Sequence, residues 1–337
     1  MNSGFKFQEK FVAQLKGSIA PNISLADELA DLLKVSTDSI YRRLRCQSGF
    51  SFDEVAIISK KFGVSVDGLL AVDSLQVNFN FNPMFEEKLN FGKYLIWFSE
   101  YLSQLAKIPG TRIIYAADDV PLFRHFNFSN LSAFKSFYWS KAVLNSEFFQ
   151  GKKFNSNIIP QEIIDINKKT YKAYSQINSI EIWTEETLIS TLKQVEFFWE
   201  SDLFEDTAQA LLVTEEIRQM MDELKMNCEN SYKNDPDLRG QFMLYNSEVM
   251  IGNNQILIEP GDAKMGERVF LGYNTFNSIS TYNASFVKET RLWMENLTKK
   301  SLLLSGTAEK QRAKFFKKMD DQISVLERNI RGVAGSY

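Results

Sequence analysis

The chain has 337 residues, 44% of them hydrophobic, with 39 Lys and Arg against 42 Asp and Glu, for a formal net charge of -3. That length and apolar content suffice for more than one buried core, while the charge excludes a polycation held on nucleic acid by global attraction. No apolar run approaches the roughly 20 residues of a membrane span, the start MNSGFKFQEKF lacks a hydrophobic signal core, and Cys46 and Cys228 are too few for a disulfide framework, so a cytoplasmic protein with no membrane partner is expected.

Phe7, Phe11, Leu15 and Ile19 recur every four residues and predict one face of a first helix, ended by Pro21 and Asn22. Ser24 opens a second helix, with Asp27 at capping-box spacing and Ala26, Leu29, Ala30 and Leu33 as its buried stripe. Lys34-Val35 make a turn, with Val35 as its apolar plug. Ser36 reads as the N-cap of a third helix in which Ile40 and Leu44 face inward. Thr37, Tyr41 and Arg45 then share one outward line, Asp38 and Arg42 the next, and Arg43 sits near the edge. Ser51-Phe52-Asp53-Glu54 is a second capping box, and Val55, Ile58 and Phe62 continue an apolar face to Gly63. A short fifth helix follows, from Val64-Ser65-Val66-Asp67 to Leu70.

LADELADLLKVSTDSIYRRL, the later FDEVAIISKKFGVS and DGLL make Phe11–Leu70 resemble the Cro/C1 (XRE-type, lambda-repressor-like) helix-turn-helix family. The resemblance implies an all-α, five-helix DNA-binding domain over residues 1–75. It also implies that the third helix, N-capped by Ser36, lies in the major groove. Thr37, Asp38 and Arg42 match base-contacting positions; Tyr41, Arg43 and Arg45 match backbone-contacting or flanking ones. Lys34 departs from the pattern, because glycine is common there. Asp38 is acidic; it either accepts from cytosine, orients Arg42 at i+4, or forms a plain surface ion pair.

Residues 76–82 (QVNFNFN) break the helical pattern and read as an extended connector. Residues 83–337 then read as a larger mixed α/β (α+β) domain for effector sensing or dimerisation. Pro83 starts a long helix stopped by Pro109-Gly110. Strands are expected at 112–116, 179–183, 242–245, 249–251, 255–258, 269–273 and 278–282. Thr184–Thr187 reads as a first helical turn, and helices are expected through Phe198, from Asp206 to Cys228, at 284–300 and at 309–331.

A single histidine, His125, excludes paired-histidine chemistry, and no phosphate loop, dinucleotide fingerprint or nucleophile elbow occurs. Neither an enzyme, a metal nor a cofactor is expected. Asp118 and Asp119 follow a strand, where carboxylates can face a ligand crevice or cap the next helix. Tyr273 and Asn274 lie on an expected hairpin and are ligand-binding candidates. Phe134, Phe137, Tyr138 and Trp139 are read as core or as the wall of an apolar pocket. The expected function is a sequence-specific transcriptional regulator that binds a double-stranded operator as a homodimer, with a C-terminal domain for dimerisation or for sensing a small-molecule effector. A protein-interaction adaptor, or an enzyme with a regulatory helix-turn-helix head, is the alternative.

Overall fold

The computed structural model describes residues 6–17, 24–66, 69, 76–84, 91–233 and 240–334. It is a mixed assembly of helices and one seven-stranded sheet. Four helices come first: α1 (Lys6–Gly17), α2 (Leu25–Leu33), α3 (Thr37–Leu44) and α4 (Phe52–Phe62). Phe11, Leu15, Ala26, Leu29, Ile40, Ile58 and Val64 bury themselves in a cluster of their own, with Val35 packed against it. The starts of α2, α3 and α4 are chemically marked. Ser24 and Ser36 accept the amides of Asp27 and Ser39 at 3.4 and 3.3 Å. Ser51 and Glu54 form the complete reciprocal box at 3.2 and 2.8 Å. Ile19, Pro21, Asn22 and, within the expected fifth helix, Asp67, Gly68 and Leu70 lie outside the described residues.

The connector is extended, and Asn80 exchanges two backbone hydrogen bonds with Ser280 at 2.6 and 3.0 Å. Beyond it come α5 (Phe91–Ala106), β1 (Arg112–Ala117), α6 (Ser129–Tyr138), α7 (Gln161–Gln176) and β2 (Asn178–Trp183). Next are α8 (Ile189–Glu200), α9 (Thr207–Asn230), β3 (Phe242–Asn246), β4 (Gln255–Glu259), β5 (Arg268–Tyr273) and β6 (Asn277–Thr281). The chain ends with α10 (Ala284–Lys300), β7 (Leu302–Leu303) and α11 (Glu309–Ala334). Pro83, expected to start the helix observed as α5, and Met84 are not helical, and residues 85–90 lie outside the described residues.

The strand order is β6-β5-β4-β1-β2-β3-β7. β1, β2 and β3 run parallel, joined by helical crossovers, while β4 to β6 and β7 pair antiparallel. The pleat divides β1 between two cores: Ile113, Tyr115 and Ala117 enter the large one, Ile114 and Ala116 the smaller one, where Val287, Met294 and Leu297 of α10 pack.

Two local expectations are corrected. Val249–Ile251 is not a strand, because the Ser247 hydroxyl accepts from the Val249 amide (3.1 Å) and donates to its carbonyl (3.0 Å), bending the chain. Thr184–Thr187 is a turn rather than a first helical turn. Thr187 Oγ1 accepts from the Thr184 amide and donates to the Ala117 carbonyl, which ties the turn to β1. The two-residue edge strand β7 was not expected, since two residues carry no periodicity.

Beneath β2 lies a fully buried polar cluster. The Glu181 carboxylate receives Arg124 Nη2 at 2.8 Å, Arg124 Nε at 2.9 Å, Trp183 Nε1 at 2.8 Å and the Tyr174 hydroxyl. Arg124 is 2% exposed and Glu181 0%.

Candidate nucleic-acid interface and a buried cavity

The face presented by α3 follows from how α2 and α3 are joined. Lys34 takes the left-handed conformation (φ 53°, ψ 46°) that closes α2, and Val35 donates to the Ala30 carbonyl at 3.1 Å. A lysine pays a steric penalty at this position that glycine would not. Two residues later α3 begins, and Ile40 anchors it at 0% exposure. Asp38, Tyr41, Arg42 and Arg45 are left exposed, with Thr37 half-buried. Asp38 and Arg42 form no ion pair with each other, so neither neutralises the other at contact distance. The Arg45 guanidinium lies 5.9 Å from the Tyr41 ring.

Arg43 is placed differently from its neighbours. Its Nη1 meets Glu54 Oε1 at 2.7 Å, and its guanidinium lies 5.7 Å from the Phe50 ring. Arg43 therefore braces α3 against the capping box of α4, while the exposed line carries Arg42 and Arg45. Sequence reasoning missed Gln8, 8% exposed, which fixes the other end. Its Nε2 donates to the Arg43 and Ser48 carbonyls at 2.7 Å each, and its Oε1 accepts the Phe50 amide at 3.1 Å. No periodic signal marks a glutamine clamp of this kind, because it depends on where three distant carbonyl and amide groups converge.

A second feature lies at the C-terminal end of β1. A cavity of about 80 Å³ sits between α5, β1, β4 and the β5–β6 hairpin. Its wall is largely aromatic, with Tyr94, Tyr101, Tyr115, Trp139 and Phe276 among the contributors, and Asp119, His125 and Lys135 give it a polar end. Of the four ligand candidates, Asp119 lines this space. Asp118 does not; it opens onto a separate groove with Glu186, Ser190 and Lys193. Tyr273 and Asn274 are exposed at the hairpin tip, and their neighbours Thr275, Phe276 and Asn277 do the lining instead. Neither aspartate caps the following helical turn. Asp119 Oδ1 binds the adjacent Val120 amide at 2.7 Å, and Ser190 Oγ donates to Oδ2 at 3.2 Å. Both aspartate amides donate to Asn254 Oδ1, at 2.9 and 3.1 Å.

His125 is 1% exposed. Nδ1 lies 3.2 Å from the Leu122 carbonyl and Nε2 lies 3.3 Å from Thr191 Oγ1. Burial, helped by Lys135, holds its pKa well below the ordinary histidine value. Lys135, 1% exposed, donates to Gln194 Oε1 at 2.7 Å; burial lowers its pKa against the opposing pull of Asp119. Lys135 escaped sequence reasoning because it stands in the apolar run Ala133-Phe134-Lys135-Ser136-Phe137, every member of which is buried. Partial burial, Asp119 and Glu186 raise the Asp118 pKa.

Among the described residues, no three His, Cys, Asp or Glu side chains converge to hold a metal ion, and no helix is long and apolar enough to cross a membrane. Comparison with protein-family models, with curated proteins and with solved structures gave no match.

Proposed function

We propose that this protein is a sequence-specific DNA-binding transcriptional regulator whose α3 enters the major groove. The observation that supports this most is the exposed row Asp38, Tyr41, Arg42 and Arg45 on a short helix locked from beneath by Ile40 and joined tightly to α2. Guanidinium groups on such a row suit guanine edges and phosphates, and Asp38 suits a cytosine amine. Residues 1–75 are the DNA-binding unit in this reading, and the sheet-containing remainder pairs two copies. One short helix touches too few bases for tight binding, and two helices set about 34 Å apart on one duplex face remedy that. The test is selection of bound duplexes from a random pool with the full chain. The expected result is an enriched inverted repeat with half-sites about one helical turn apart; a pool that stays unenriched after repeated rounds overturns the reading.

A further inference from the structure

The cavity wall contains one unmet polar group. Trp139 is 3% exposed and lines the cavity, yet its indole N–H has no hydrogen-bond partner among the described residues. A buried donor without an acceptor is destabilising, and a ligand acceptor beside it relieves that. Lys135 Nζ lies 5.1 Å from the same indole ring, and Asp119 stands at the same end of the cavity. A charged solute there would meet one like and one opposite group, whereas a neutral solute with an acceptor atom meets donors. The ring-lined walls favour a flat aromatic body.

Size links this cavity to the rest of the chain. A cavity of roughly 150 Å³ takes up benzene; this one measures about 80 Å³, so a ring enters only if a wall yields. β1 and β4 are interior strands of the sheet, but the β5–β6 hairpin is its margin, and Asn274 and Thr275 at its tip hold φ of 51° and 68°. Phe276 of that tip closes the cavity, with ring centroids 5.5 Å from Trp139 and 5.8 Å from Tyr94. The same hairpin holds the connector. Asn277 Nδ2 donates to the Asn82 carbonyl at 2.8 Å, the Phe81 ring meets the Tyr273 ring edge-on at 5.6 Å, and Asn80 pairs with Ser280.

We propose that the cavity is a binding site for a neutral, single-ring aromatic molecule whose acceptor atom takes the Trp139 indole N–H, and that occupancy displaces the β5–β6 hairpin and, with it, the connector that follows the N-terminal helices. Calling that displacement regulatory rests on the DNA-binding reading; the binding and the displacement do not.

The test uses the full chain without DNA and three probes: benzamide, toluene and cyclohexanecarboxamide. Calorimetry is expected to show benzamide binding more tightly than either of the others. Trp139→Phe should weaken benzamide about tenfold, the loss of roughly one hydrogen bond, and leave toluene unchanged. Ile256→Phe, which fills the cavity, should abolish all binding and serves as the deciding variant if Trp139→Phe does not fold. Hydrogen exchange at the Asn80 and Ser280 amides should change on benzamide addition. No benzamide binding, or equal weakening of benzamide and toluene in Trp139→Phe, overturns the site; unchanged exchange at Asn80 and Ser280 overturns the coupling. A failure of the DNA reading would show only in duplex binding and would leave these results standing.

Discussion

Replacing Glu181 with glutamine isolates the buried cluster under β2, because shape is kept while charge is lost. The carboxylate receives Arg124 through Nη2 at 2.8 Å and Nε at 2.9 Å, Trp183 Nε1 at 2.8 Å and the Tyr174 hydroxyl. Burial and Glu181 push the Tyr174 pKa well up, so the phenol stays a donor. An amide offers one oxygen with two lone pairs and turns an NH2 toward groups that are themselves donors. Arg124, 2% exposed, is left without a counter-charge. Breaking a buried pair from one side costs about 3–5 kcal/mol. At about 2–4 °C per kcal/mol for a domain of this size, the melting transition should fall by roughly 6–20 °C. The assay is thermal unfolding followed by tryptophan fluorescence, with Trp183 buried beside the cluster. Arg112→Ala is the control. It removes a 2.6 Å pair with Glu259 whose arginine is 48% exposed, so the change should be at most about 1 kcal/mol. A Glu181→Gln shift no larger than that of Arg112→Ala would refute the assignment of Glu181 as the essential acceptor.

His125 is the only histidine, so its titration can be read by difference. Its folded pKa lies below 6.5; as pH falls under 6.5 the unfolded chain binds a proton that the folded chain refuses. Stability therefore falls with acid, by at most about 1.4 kcal/mol per pH unit from this group. Urea unfolding between about pH 7 and 5 should show a shallower slope in His125→Gln than in wild type; parallel slopes would contradict neutral burial. Gln8→Ala removes three hydrogen bonds that join α1 to the end of α3 and the following loop. A loss of about 2–4 kcal/mol is expected in the protection of residues 37–54 from hydrogen exchange, with the sheet's protection unchanged. Equal loss in both regions would count against separate cores.

Much of the fold is legible in the sequence because local chemistry announces it. Ser36, Ser51 with Glu54, and Asp206 mark helix starts, and each caps the helix it was expected to open. The spans of β1 to β6 follow from apolar runs bounded by turns, within one or two residues. What was not legible depends on long-range convergence. Strand order, the Glu181 cluster and the Gln8 clamp join residues tens of positions apart. Asp119 was marked by its place after β1, but its companions Lys135 and Trp139 come from α6 and the turn beyond it, and nothing local distinguishes them from core. Val249–Ile251 reads as a strand because it is a short apolar run, yet only Ile251 of the three is buried.

The most direct test of DNA recognition by α3 is the salt dependence of binding to a selected duplex, read by fluorescence anisotropy. Wild type should show log affinity falling linearly with log salt, as displaced counterions require. The double variant Arg42→Ala/Arg45→Ala, with wild-type circular dichroism, should bind more weakly and with a slope reduced by about 1–2, depending on whether one or both arginines meet phosphate. Undiminished, equally salt-sensitive binding by that variant, or no salt-sensitive binding by the wild-type chain, would contradict it.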